Sequence, residues 1–128
     1  MNYSRQRQEV LEQLKPHRDH PTADVIFAEL RNRNSSISLA TVYRNLKLLS
    51  DMGEIQRLSF ESGADHFDPN VQPHYHFACE KCGRVLDVPM ETAAHLNEAA
   101  GKVLPGCRIT GHDLVFRGLC ENCCSKEV

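Results

Sequence analysis

Ser38-Leu39-Ala40-Thr41-Val42-Tyr43-Arg44-Asn45-Leu46-Lys47-Leu48-Leu49 is the stretch on which the fold turns. Ser38 suits a helix cap, because its hydroxyl can accept an orphan N–H of the first turn. Leu39, Val42, Leu46 and Leu49 recur at i, i+3, i+7 and i+10 and make one inward stripe. Ala40, Thr41, Tyr43, Arg44 and Lys47 fall on the opposite face, and Gly53 supplies a stop. Two shorter helices precede this one. The first is expected to be capped by Ser4, to bury Val10, Leu11 and Leu14, and to end at Pro16. The second opens near Pro21-Thr22 with Val25, Ile26 and Leu30 inward, and the polar residues Arg31 to Ser36 follow as a loop. After the third helix, Ile55 to Phe60 reads as a strand, Glu61 to Asp65 as a turn and His66-Phe67-Asp68 as a return strand. Three helices and a hairpin are the order of a winged helix-turn-helix. The exposed face of the third helix then suits base edges and phosphates of a major groove. By itself that face also fits an ordinary solvated helix.

Pro69-Asn70-Val71-Gln72-Pro73 reads as a linker. Beyond it, His74 to Ala78 and Val85 to Val88 are strand-like, and Glu91 to Leu104 is helical with Ala93, Leu96, Ala100 and Val103 inward. Arg108 to Leu119 contains further strand-like segments. The predicted class is α+β: a winged-helix domain over 1–68, a hinge over 69–73 and a small α/β domain over 74–128.

Cys79-x2-Cys82 and, after a gap of 37 residues, Cys120-x2-Cys123 are two knuckles that together supply four thiolates, the donor set of a closed tetrahedral zinc site. Gly83 and Gly118 stand beside the knuckles, where tight turns are expected. A filled sulfur shell leaves no open position, so this zinc is expected to hold the fold. Disulfides, free thiols or a redox CxxC are the other readings; a second copy of the motif speaks against the last. Cys107 and Cys124 are left without a role, Cys107 as a small buried or half-buried residue.

The chain has 128 residues and a net charge of −2. Residues 1–60 carry nine Lys/Arg against seven Asp/Glu, and the remainder six against ten. A basic front half is compatible with nucleic acid without requiring it. No run approaches the ~20 apolar residues of a membrane span, and the start of the chain has no apolar stretch of a signal peptide, so a cytoplasmic location is expected. Each half would be marginal alone, which makes a metal or a partner subunit an expected source of stability.

His74 and His76 alternate on a strand and share a face. With nearby carboxylates they suit iron, manganese or zinc; the alternative is a pair of surface histidines.

Ser38 to Leu46 resembles the recognition helix of the ferric uptake regulator (Fur) family. His74-Tyr75-His76-Phe77-x-Cys79-x2-Cys82-Gly83-x-Val85-x-Asp87 resembles its signature segment, and His20-Pro21-Thr22-Ala23-Asp24 the opening of its second helix. The resemblance runs from about Ser4 to Cys123. It implies a homodimer that binds double-stranded operator DNA with a metal corepressor, through a winged-helix domain joined to an α/β dimerisation domain. It implies DNA contacts at Ala40, Thr41, Tyr43, Arg44 and Lys47, and a structural zinc at Cys79, Cys82, Cys120 and Cys123. It also implies a regulatory ion, Fe2+ or Mn2+, on His20, Asp68, His74, His76 and Asp87. Pro73-His74-Tyr75-His76 departs from the His-His-Asp-His of the iron-uptake members, whose extra metal site is therefore not expected, although His112 matches one of its members. Aspartate at 68 and 87 is similar to the peroxide-responsive (PerR) branch, in which oxidation of a ligand histidine, here His20 or His74, releases metal and DNA. Iron- or zinc-responsive repression without peroxide chemistry is the alternative within the family. Outside it stand a metalloenzyme, for which the sequence offers no general acid or substrate pocket, and a zinc-knuckle module without DNA.

Overall fold

The computed structural model describes residues 3–60 and 63–125. Glu61 and Ser62 of the predicted turn lie outside the described residues. The chain divides into two compact units, Met1–Gln72 and Pro73–Val128.

The first unit is α1 (Tyr3–Leu14), α2 (Ala23–Asn32), α3 (Leu39–Asp51), β1 (Gln56–Leu58) and β2 (His66–Asp68). Its core gathers Val10 and Leu14 of α1, Ile26 of α2, Val42, Leu46 and Leu49 of α3, and Phe67 of β2, all at most 1% exposed. α1 already includes Tyr3, so Ser4 lies inside the helix and does not cap it. The Ser-Arg-Gln-Arg-Gln run contains no breaker to stop the helix there. At α3 the Ser38 hydroxyl accepts the Thr41 N–H at 3.2 Å, as its residue type predicts.

α2 and α3 end alike. Asn34 (φ 63°) and Gly53 (φ 79°) take the left-handed conformation. Ser35 N–H then reaches Leu30 C=O, and Glu54 N–H reaches Leu49 C=O, each at 3.0 Å. This is the Schellman closure, which satisfies carbonyls of the last turn. The predicted loop at Arg31 therefore starts after Asn32.

Leu39 departs from the predicted stripe and is 39% exposed. It lies at the first turn of α3, beyond the core, and lines an open recess with Ala23, Tyr43 and Ala64. Asn45 is buried instead, and its amide is satisfied by donating to Thr41 C=O at 2.9 Å. Around the α1–α2 connection, His17 bonds Asp19 through Nδ1 and Glu29 through Nε2, both at 2.8 Å.

The second unit is β3 (Tyr75–Cys79), β4 (Val85–Val88), α4 (His95–Val103), β5 (Val115–Gly118) and α5 (Glu121–Ser125). Its sheet runs β4-β3-β5, with β4 antiparallel and β5 parallel to β3. α4 is shorter than the predicted 91–104 helix, and none of its residues is buried. Val103, expected inward, is 75% exposed. Periodicity identified which side chains share a face, but among the described residues that face is only partly covered, at Ala93 and Ala100. Of the predicted Arg108–Leu119 strands, only β5 forms among the described residues. Tyr75 is buried; its hydroxyl accepts the Ala93 N–H at 2.7 Å and pairs with His112 Nε2.

Candidate metal centres and DNA-facing surface

Cys79 closes β3, Cys120 follows β5 and Cys123 lies on α5. The first knuckle turns back through Gly83 at φ 78°, with its N–H on Cys79 C=O at 3.0 Å; a left-handed residue is needed there, and glycine takes that conformation without strain. Glu80 N–H bonds Gly118 C=O at 2.8 Å and brings the second knuckle alongside. Gly118 itself is not a turn residue. It sits in β5, where an added Cβ would meet the Phe77 ring at 3.4 Å.

The four thiol sulfurs of Cys79, Cys82, Cys120 and Cys123 all lie within 4.8 Å of one another. Cys82 Sγ and Cys120 Sγ are 3.7 Å apart. That is far beyond a bonded pair at about 2.05 Å, but close to the edge of about 3.8 Å for a tetrahedron with metal–sulfur bonds of about 2.3 Å. The charges point the same way. N–H groups of Cys82 and Cys120 donate to Cys79 Sγ at 3.5 and 3.4 Å and hold its thiol down to about 6. Backbone donation from Cys123 lowers Cys120, whereas burial, reinforced by the neighbouring sulfurs, pushes Cys123 up to about 12. Four thiolates this close cannot all ionise at neutral pH unless a cation offsets them, and a zinc ion fits that demand. Cys107 and Cys124 stand outside the cluster, and Cys107 is exposed, contrary to expectation.

Nitrogen and oxygen donors form a group within each unit. In the first, His20 Nε2 lies 3.2 Å from Asp68 Oδ2, with both side chains buried. His20 occupies the left-handed region at φ 55°, a conformation that costs a non-glycine residue about 1–3 kcal/mol and persists only where its surroundings impose it. Those surroundings are visible. His66 Nδ1 donates to His20 C=O at 2.7 Å, and Phe67 N–H donates to Pro21 C=O at 2.9 Å. His66 was missed in the sequence, although its place two residues before Asp68 puts both side chains on one face of β2.

In the second unit, His76 and Asp87 are direct partners across β3 and β4. Asp87 Oδ1 lies 3.1 Å from His74 Nε2 and 3.5 Å from His76 Nε2. The two imidazoles are 4.4 Å apart, on one face as the alternation requires, though His74 precedes the strand by one residue. His112 is engaged at both ring nitrogens, by Tyr75 and by Asn97 at 2.7 Å. Tyr75 occupies the place of the aspartate in the His-His-Asp-His pattern.

On α3, Ala40, Tyr43, Arg44 and Lys47 are exposed, and Thr41 is half-buried. Thr41 Oγ1 accepts from Arg44 at 3.2 Å. The Tyr43 ring rests edge-on against buried Phe67, with centroids 6.4 Å apart.

The ferric uptake regulator family model matches residues 1–117. The peroxide-responsive repressor PerR of Staphylococcus epidermidis is 34% identical over 118 residues, covering 92% of this chain and 78% of its own length. The peroxide operon regulator of Bacillus subtilis is 34% identical over 122 residues, covering 95% and 83%. The crystal structure of the Campylobacter jejuni peroxide stress regulator superposes with a TM-score of 0.76 at 30% identity, covering 94% and 90%. The chain is similar to peroxide-responsive repressors and belongs to the ferric uptake regulator family of metal-dependent transcription repressors.

Proposed function

We propose that this chain is a homodimeric, operator-binding repressor that reports hydrogen peroxide through oxidation of His20 or His74. The observation that carries the reading is the pair of preformed nitrogen and oxygen donor groups, His20 with Asp68 and His74 with His76 and Asp87, one in each unit. Imidazole and carboxylate suit Fe2+ or Mn2+ better than soft ions. One regulatory ion held by all five residues links a DNA-binding domain, 1–68, to a dimerisation domain, 74–128, through the hinge 69–73. In a dimer that link sets the spacing of two recognition helices against half-sites about one helical turn apart. The ion thereby favours the DNA-competent arrangement by differential affinity.

Ala40, Thr41, Tyr43, Arg44 and Lys47 provide the groove contacts. Cys79, Cys82, Cys120 and Cys123 hold the structural zinc and take no part in sensing. The exposed apolar residues of α4 and β5, among them Val103 and Phe116, suit the partner subunit. The setting is cytoplasmic, and no described helix is long and apolar enough to cross a membrane.

When bound, ferrous iron would supply the redox chemistry that cleaves peroxide beside these imidazoles: the ring loses two electrons and gains one oxygen, and the other oxygen leaves as water. His20 and His74 each contribute a ring nitrogen, and an oxygen added to either ring weakens the link between domains. The test uses protein loaded anaerobically with ferrous iron and bound to operator. Equimolar hydrogen peroxide should release the DNA and add one oxygen to a peptide containing His20 or His74. Operator binding that survives peroxide with no added oxygen would leave a repressor that reports metal supply.

A further inference from the structure

Asp65 places a carboxylate beside the surface proposed to meet DNA. Its Oδ2 accepts the Tyr43 hydroxyl at 3.1 Å and lies 3.7 Å from Arg57 Nε. Its Oδ1 accepts the Ser59 hydroxyl at 2.9 Å. The three partners come from α3, from β1 and from the residue just after β1, while Asp65 itself leads into β2. Leu58 pairs with His66, so Ser59 and Asp65 form the next rung toward the hairpin tip. The carboxylate is mostly shielded, with 19% of its side chain exposed. Tyr43 is therefore fixed twice, its ring edge on Phe67 and its hydroxyl on Asp65.

We infer that Asp65 is a positioning residue for DNA recognition: it latches the wing to the recognition helix and presets Tyr43 for the groove. The inference rests on the reading of α3 as the DNA-contacting helix. Two effects of opposite sign compete at this position. A negative charge beside phosphates repels DNA of any sequence, so its removal alone should strengthen binding and steepen the salt dependence. Loss of the latch frees the Tyr43 side chain and the hairpin mouth, and their ordering must then be supplied on binding. The first effect is indifferent to sequence, whereas the second falls on the contacts that discriminate between sequences. Three donors converging on one shielded carboxylate favour the second for operator DNA.

The experiment measures Kd for operator and for scrambled duplex at fixed salt, on manganese-loaded full-length protein. The proteins are the parent, Asp65→Ala, Asp65→Asn and Arg44→Ala, each checked for zinc content and thermal midpoint. Asp65→Ala should weaken operator binding roughly three- to tenfold, as expected for re-ordering one or two side chains, while scrambled DNA binds equally well or better. Asp65→Asn keeps an acceptor for Tyr43 and should recover part of the operator affinity. Asp65→Ala binding operator as tightly as the parent or tighter would overturn the inference, leaving the carboxylate only repulsive. A fall of the same factor on both duplexes would also overturn it, because the loss would then be general. Arg44→Ala binding operator like the parent would instead remove the DNA reading of α3, and the latch with it.

Discussion

The two candidate metal centres differ in how their donors are distributed. The four cysteines all belong to the second unit, on β3, on the turn after it, between β5 and α5, and on α5. The histidines and aspartates are divided, with two residues in the first unit and three in the second. A closed sulfur site inside one unit can hold that unit's fold together and do little else. A donor set divided between units gains binding energy only from arrangements that bring its parts together, and it can therefore act as a switch. The donor chemistry agrees: thiolates suit a permanent zinc, and imidazole with carboxylate suits a more exchangeable ion.

The largest expected effect tests the first half of this contrast. Cys79→Ser or Cys120→Ser should remove zinc and, with it, the folded second unit and the dimer, because structural zinc binding is coupled to folding. Zinc content, near-ultraviolet circular dichroism and sedimentation would show this. A zinc-free dimer melting at the parent's temperature would mean that the cysteines do not hold the unit. The histidine and aspartate variants should, in contrast, keep zinc, fold and dimer.

The smallest expected effect concerns pH and lies beside the His20 loop. Burial draws the His17 pKa down, but hydrogen bonds and charge from Glu29 and Asp19 outweigh this and raise it above 6.5. Its contribution to stability is then complete below the unfolded value and is lost as pH rises through the folded one. Glu29 and Asp19 show the reverse. Burial raises them, yet bonding to His17 wins and lowers them below 4.5 and 3.8, so their share is lost in acid. The cluster is strongest between those carboxylate values and 6.5. His17→Ala should cost at most about 1 kcal/mol there, as for other solvent-screened pairs, and less at about pH 9. Thermal melts at the two pH values check the sign, and a penalty that grew with pH would contradict it.

Much of the first unit was legible because its signals are local. Ser38 caps and Gly53 terminates α3, and the hairpin strands fall where their composition puts them. The cysteine cluster was legible because two CxxC knuckles leave few other chemistries. What escaped depends on contacts distant in sequence. Periodicity placed Leu39 and Val103 on inward faces, but only the packing shows that neither face is covered where they stand. In the sequence, His66 and Asp65 read as ordinary strand and turn residues. Their partners, His20 and Tyr43, are 46 and 22 residues away, joined to them by the way the hairpin folds back on the helices. The resemblance supplied the ligand set at His20 and Asp68, which spacing alone would not have selected.

The proposed mechanism requires one ion shared by residues of both units. The most direct measurement is the manganese-dependent gain in operator affinity for the parent, His20→Ala, His76→Ala and the double variant, at fixed salt. A shared site predicts that either single change removes the whole gain and that the double variant loses nothing further, as strongly coupled residues do. If each single variant kept part of the gain and the losses added, the two donor groups would be acting as independent sites, which contradicts a shared ion.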